Sequence, residues 1–468
     1  MAIIVVFERI KTCEVGRMRS LILHGILSMY RKSWEELRCF RDLKKSQWYS
    51  LEEIERIQLK KLKGLVKHAY ENVQFYHRRF RELGLKPTDV GNLEDLKKLP
   101  IVKKENLRHG FPDTLARNYN TRTLEKGTTS GSTGKPFEWY LDKKGFQHNS
   151  ASYYRFASWY GVNLGDKIVS VTTASPWGAR MHQSARVRWG YMLRRVLRLT
   201  AYQITEQTLH DFSIILKQFK PKTLRGFTSP IFLISEFLKK EGISDINPSA
   251  VITTGETLFD FQRRLIESVF DCNLFNFYGS SEIESIAQEC EEHCGLHLNA
   301  EERIVEFVRN GENVSSGEEG EIVITDLNNY AMPFIRYNTE DVGIPKSDQC
   351  GCGRGLPLIM DVKGRVCDLI VAKNGALISG EFFALPAPYF LKNHKWIQQY
   401  QIIQPSREKL LVNIVKSAEP RKQDLEYLVN RIHKHVGDVN VEIRFLESIP
   451  TASKHRFTIS HVTPELFR

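Results

Sequence analysis

A chain of 468 residues is too long for one compact core, and 41% hydrophobic with 26% charged residues is the texture of an ordinary soluble protein of two or three domains. The net charge of +12 comes from 67 basic residues interspersed with 55 acidic ones, which favours anionic ligands in general and argues against a nucleic-acid partner. Eight cysteines are too few for a disulfide scaffold, and four of them fall between Cys290 and Cys352, a crowding that suits metal binding in a reducing compartment.

At the start, the apolar runs Ile3–Phe7 and Leu21–Met29 are too short or too interrupted to span a bilayer, and no small-residue cleavage site follows. A cytoplasmic protein is expected, with a peripheral membrane contact through this basic, apolar start left open. From Leu51 to Tyr76, Leu51, Ile54, Ile57, Leu62, Leu65, Val66 and Ala69 recur at helical spacing and predict a long amphipathic helix; a second fits Phe75 to Leu83. Pro87, Pro100 and Pro112 then punctuate a loop-rich approach to Lys126–Pro136.

That stretch, Lys-Gly-Thr-Thr-Ser-Gly-Ser-Thr-Gly-Lys-Pro, holds three Gly, five hydroxyl side chains and two Lys, and is expected to be a loop. Glycines admit a ligand close to the backbone, while amides, hydroxyls and lysine donate to anionic oxygens, so a phosphate cradle is the natural reading. It is not a Walker loop, because Thr129 holds the first Gly position and Pro136 follows Lys135. A flexible Gly/Ser linker is the bland alternative.

Strand Phe137–Leu141 follows, so the stretch feeds a strand rather than opening a helix. Strands at Lys167–Thr173, Thr223–Phe227, Ala250–Thr254 and Leu274–Tyr278 alternate with helices near Leu209–Phe219, Ser229–Lys240 and Leu258–Val269, the pattern of an α/β domain with a mainly parallel sheet flanked by helices. From Glu302, short strands and turns such as Gly317–Gly320 before Glu321–Thr325 predict an antiparallel subdomain. Strands Tyr400–Gln404 and Lys409–Val415, helix Arg421–Val436 and strand Val439–Phe445 predict a small α+β C-terminal unit, which places the boundary between residues 1–366 and 367–468.

Phe277-Tyr278-Gly279-Ser280-Ser281-Glu282 directly follows an apolar strand, where open α/β sheets bind ligands. Its aromatic ring, glycine, hydroxyls and carboxylate suit a nucleotide, although an ordinary strand-to-turn junction reads equally well. Cys290, His293, Cys294 and His297, with Cys350 and Cys352, offer soft thiolates and imidazole in two short-spaced groups, as a closed tetrahedral Zn²⁺ site requires; there are more candidates than places.

Four motifs then stand in order: Thr128–Pro136, Tyr278-Gly-x-Ser281-Glu282, Arg336-Tyr-x-Thr339-x-Asp341 and Gly364-Arg365-x-x-Asp368. The set resembles the adenylate-forming acyl/aryl-CoA ligase superfamily, and within it the phenylacetate-CoA ligase, capsule-biosynthesis and coenzyme-adenylating branch. The resemblance implies a large adenylation domain with a small mobile C-terminal lid. It implies activation of a carboxylic acid by ATP as an acyl-adenylate, then transfer to coenzyme A, with an amine acceptor or an adenylyltransferase as alternatives.

By the same resemblance, Ser130, Gly131, Ser132, Thr133, Gly134 and Lys135 would hold the ATP phosphates, and Gly255 and Glu256 would line the adenine pocket. Tyr278, beside Gly279, would stack on the base, Ser281 would bond the α-phosphate and Glu282 would hold Mg²⁺. Asp341 would bind the ribose hydroxyls and Arg365 the ribose or phosphate region. Lys454 would take the bridging-lysine place, with Ser453 where Gly is usual and Cys367 at the hinge position as departures. The subfamily's zinc site maps onto Cys290, His297, Cys350 and Cys352, leaving His293 and Cys294 outside. Joining two anions in line needs positioning and cationic stabilisation rather than a protein nucleophile, which agrees with this residue set. Aromatic residues between His148 and Tyr160 and around Trp177–Val187 read either as an aryl pocket or as core.

Overall fold

The computed structural model describes residues 34–129, 137–163, 165–172, 195–201, 203–363, 370–375, 377–378, 396–449 and 458–462. The apolar runs before residue 34, Ser130–Pro136, Trp177–Val187, Arg365, Cys367, Ser453 and Lys454 lie outside them.

Three helices, Trp34–Ser46, Leu51–Asn72 and Gln74–Glu82, open the described chain. The second is set by its ends: Ser50 Oγ accepts from Glu53 N and the Glu53 carboxylate accepts from Ser50 N, a closed capping box, while Ile54, Leu62, Leu65, Val66 and Ala69 are buried along one face. A short helix, Lys104–His109, precedes a hairpin of β1 (Glu125–Thr129) and β2 (Phe137–Leu141).

The hairpin corrects one expectation. Lys126–Thr129 is a strand, not loop, because its backbone pairs residue by residue with Glu138–Tyr140 and Phe137. Gly127 serves close packing there, since a Cβ would lie 2.1 Å from the Trp139 ring.

Helix Lys143–Ala157 leads into β3 (Ile168–Thr172), β4 (Val196–Thr200) and the two-residue β5 (Gln203–Ile204). Helix Glu206–Phe219, β6 (Thr223–Phe227), helix Thr228–Lys240, β7 (Ala250–Thr254), helix Asp260–Phe270 and β8 (Leu274–Gly279) follow as expected. Next come β9 (Ser285–Glu289), β10 (Leu296–Leu298), β11 (Arg303–Arg309), β12 (Glu312–Asn313), β13 (Gly320–Asp326), β14 (Tyr337–Lys346) and β15 (Leu358–Lys363).

These strands make one twelve-stranded sheet, ordered β12-β11-β13-β14-β15-β10-β9-β8-β7-β6-β3-β4. The block from β4 to β8 is parallel, and from β8 onward every pair is antiparallel. The α/β fold class is as expected, and the antiparallel subdomain proves to be continuous with the parallel sheet. The switch falls at β8–β9, so the motif Tyr278–Glu282 sits where the sheet changes character.

Beyond it, β17 (Leu377–Ile378) pairs with β16 (Ile370–Val371) on one side and β5 on the other in a three-stranded sheet. The four-stranded sheet β20-β19-β18-β21 comprises β18 (Ile397–Ser406), β19 (Lys409–Lys416), β20 (Asn440–Phe445) and β21 (Thr458–Ser460). Helix Lys422–Val436 covers it, and Leu428, Ile432 and Val436 join Ile402, Leu410 and Val412 in a core of their own. No described helix is long and apolar enough to cross a membrane.

Candidate active site and metal centre

The parallel strands end together at Phe227, Thr254 and Gly279, the edge where a doubly wound sheet presents loops to a ligand. Gly255 continues β7 with φ +79°, and a Cβ there would lie 2.5 Å from the Phe227 ring, so the turn demands glycine on two counts. The next residue, Glu256, accepts from Ser229 N at 2.6 Å, at the N-terminus of helix Thr228–Lys240. Its charge thus offsets the helix dipole and orients the helix against the turn.

Between β8 and β9 the loop is closed on itself. Ser280 N donates to Ile283 O at 3.0 Å, Ile283 N donates to Ser280 Oγ at 3.0 Å, and Ile283 is fully buried. Ser281 is left exposed at the tip and Glu282 points inward. A Cβ on Gly279 would meet Glu284 O at 2.6 Å, which explains glycine at the entry to so tight a loop.

Tyr278 donates from its hydroxyl to Asp341 Oδ2 at 2.8 Å. The two motifs, 63 residues apart, are therefore one constellation. A bulge in β14 makes this possible: Glu321 faces Val342 but Val323 faces Asn338, so β14 carries two more residues than β13 across Thr339–Asp341. Glu340 takes φ +64° inside the bulge, and Thr339 Oγ1 accepts from Asp341 N at 3.2 Å while donating to Ile322 O at 3.0 Å. The strand is bent there to aim Asp341 at the β8 terminus.

Glu282 Oε1 accepts the Tyr337 hydroxyl at 2.6 Å and lies 3.4 Å from Lys104 Nζ, all three groups being buried. The sequence reading quoted Tyr337 without a role and missed Lys104 altogether, for a lysine in Val102-Lys-Lys-Glu-Asn looks like any solvated face. Arg336, first residue of its motif, is structural. Its guanidinium holds Glu306 through Nε at 3.0 Å and Nη2 at 2.9 Å, and Nη1 donates to the Leu99 and Lys97 carbonyls at 2.6 and 3.1 Å.

The cysteine cluster forms where β10 lies between β9 and β15. Cys290 follows β9, His297 is on β10, and Cys350 and Cys352 lie just before β15; their donor atoms all fall within 4.8 Å of one another. Cys290 and Cys350 Sγ are 3.5 Å apart and Cys352 Sγ is 3.3 Å from His297 Nε2, close to the roughly 3.8 Å between sulfurs that tetrahedral ligation at Zn–S of about 2.3 Å requires. Paired with the Leu356 carbonyl at 3.1 Å, His297 Nδ1 carries the proton and leaves Nε2 to the cluster; burial lowers this imidazole to about 4, so it is neutral, as a ligand must be.

The surplus candidates are placed apart from that set. His293 turns to Glu289 at 3.4 Å, and Cys294 Sγ meets Cys350 Sγ at 2.9 Å from outside the four. Trp159 covers the cluster edge-on, 5.6 Å from the His297 ring, and Arg354 lies over Trp159 at 4.5 Å while its Nη1 bonds both Glu291 oxygens at 3.0 Å. Phe156 and Trp159 are thus core residues. Tyr153 is partly buried beneath Arg225, and Trp177 lies outside the described residues.

The chain is similar in sequence and in fold to several known proteins. A phenylacetate-coenzyme A ligase of Thermus thermophilus is 26% identical over 339 residues, covering 69% of this chain and 72% of that enzyme. Protein CapK of Staphylococcus aureus is 24% identical over 417 residues, covering 87% and 89%. In sequence the chain is phenylacetate-CoA ligase-like. Residues 370–461 of this ligase-like chain match the family model described as the CapK C-terminal domain. The crystal structure of 2-hydroxyisobutyryl-CoA ligase with 2-HIB-AMP and CoA, in the thioesterification state, superposes with a TM-score of 0.63 at 21% identity, covering 90% of this chain and 91% of that one. That likeness extends the shared fold through the C-terminal unit.

Proposed function

We propose that this chain condenses a carboxylic acid with ATP to an acyl-adenylate and pyrophosphate, then passes the acyl group to coenzyme A with release of AMP. The observation that carries the reading is the bond from Tyr278 to Asp341 at the C-terminal edge of the parallel strands, beside the Ser281–Glu282 loop. An aromatic face tied to a carboxylate there suits a nucleoside, with Tyr278 against the base above Gly279, Gly255 and Glu256, and Asp341 on the ribose hydroxyls. Exposed Ser281 reaches an α-phosphate, and Ser130–Lys135, Arg365 and Lys454 complete the anion-binding set. Residues 1–366 form the adenylation body and 367–468 the lid that brings Lys454.

Glu282 is the residue to hold Mg²⁺, whose chemistry when bound is to neutralise phosphate charge. Its buried carboxylate fits a hard cation, although it meets Lys104 first. Cys290, His297, Cys350 and Cys352 would hold a structural Zn²⁺.

A second reading keeps the same activation by ATP and passes the acyl group to an amine instead of coenzyme A. Both readings are tested together by pyrophosphate release from ATP across a panel of carboxylic acids, with and without coenzyme A or amines. Acid-stimulated release whose product is a thioester supports the first reading and an amide supports the second. ATP binding with no acid-stimulated release overturns both.

A further inference from the structure

Lys104 is a buried cation to which the proposed reaction gives no task. It lies on helix Lys104–His109 with its side chain 6% exposed, and Nζ sits 3.4 Å from Oε1 of Glu282, itself 5% exposed. Its place is fixed through the backbone. Val102, two residues earlier, bridges to Tyr337: Val102 N donates to Arg336 O at 2.8 Å and Asn338 N donates to Val102 O at 2.9 Å. Arg336 meanwhile clamps the Lys97 and Leu99 carbonyls. The segment that carries Lys104 is thereby stitched to the strand that carries Tyr337, whose hydroxyl bonds the same Glu282 oxygen.

A buried carboxylate without a counter-charge is costly, and an ammonium at this distance offsets part of that cost. It also opposes any second cation, because two positive charges then compete for one carboxylate. We propose that Lys104 is the resident counter-ion of Glu282, which a divalent cation must outcompete, so that Lys104 sets the cation dependence of the site. With Lys104 beside it the carboxylate is already counter-charged before nucleotide binds, so a metal gains a firm hold only when it arrives with the additional negative charge of nucleotide phosphates. This inference rests on Glu282 as the Mg²⁺ ligand.

The test needs no turnover. Wild type, Lys104→Met, Lys104→Arg and Glu282→Gln are saturated with α,β-methylene-ATP, whose bridge cannot be cleaved, and titrated with MgCl₂ while the thermal midpoint is followed. Lys104→Met is expected to reach its half-maximal shift at about tenfold lower Mg²⁺ than wild type, Lys104→Arg within about twofold of it, and Glu282→Gln to lose the Mg²⁺ response. Lys104→Gln serves in the same way should the Met variant not fold. A lysine that is merely structural would lower every midpoint equally and leave the half-saturating Mg²⁺ unchanged. That result, with Glu282→Gln unresponsive, overturns the counter-ion alone. A wild-type response in Glu282→Gln overturns the metal assignment and the counter-ion with it.

Discussion

Within the single motif Arg336–Asp341, neighbouring residues serve different ends, and substitutions separate them. Asp341 receives the Tyr278 hydroxyl at the strand edge, whereas Arg336 is buried with Glu306 and two backbone carbonyls. Asp341→Asn keeps the shape and removes the charge. It is expected to raise the KM for ATP about tenfold, the loss of one charged hydrogen bond, with the urea midpoint little changed. Arg336→Met leaves the Glu306 carboxylate buried without its partner, and unfolding titrations should show a loss of about 3–5 kcal/mol. Much of that should return in the double variant Arg336→Met/Glu306→Leu, which removes both charges. The sequence made the motif visible but not this division, because nothing in a row of residue types tells which side chain a bulge will turn outward. Lys104 is hidden for a related reason: its partner lies across a long stretch of chain, and the Val102–Tyr337 bridge with the Arg336 clamp brings the two together.

At the level of elements, the periodicities were legible where one face of an element meets one core. Helix Leu51–Asn72, strands β6, β7 and β8, and helix Lys422–Val436 lie within a few residues of their sequence-based bounds, since each shows a regular apolar pattern closed by a cap or turn. The composition of Lys126–Thr129 lacks a side-chain pattern and predicts a loop, yet backbone pairing in a hairpin requires no such pattern. Type and spacing mark the cysteine groups as candidate metal ligands, and β10 supplies what spacing cannot, the crossing that brings Cys290 near Cys350. Metal analysis of purified protein is expected to find about one zinc per chain. Cys350→Ser and Cys352→Ser should lose it with a fall in thermal midpoint, while Cys294→Ser retains it. Zinc-free wild-type protein would refute the assignment.

Across the whole molecule, the N-terminal helices are fastened to the sheet by charges in its interior, which sequence patterning assigns to solvent. Lys61 and His148 converge on Glu302, at 2.8 Å each, with Cys39 Sγ 3.5 Å from His148 Nε2. Beside them Arg155 meets Glu301 at 3.2 Å and Arg303 meets Asp326 at 2.9 Å. Burial alone would depress His148, but the Glu302 carboxylate and the Cys39 contact outweigh it and raise the imidazole to about 9. Burial likewise favours the neutral form of Glu302, and Lys61 and His148 overcome it, holding the carboxyl well below its usual range. The sign of the pH dependence follows. A raised histidine contributes stability in full below its unfolded value of about 6.5, and that contribution is lost as pH climbs towards 9. A depressed carboxylate contributes above its unfolded value of about 4.5, and its share is lost as pH falls below that. Unfolding free energies of wild type from urea titrations should therefore be highest between these limits and decline from pH 6.5 to 9 by an amount on the order of 3 kcal/mol, counted once for the His148–Glu302 pair. His148→Gln should start lower and remain flat over that alkaline interval, and parallel curves for the two proteins would show that His148 is not the fastening charge.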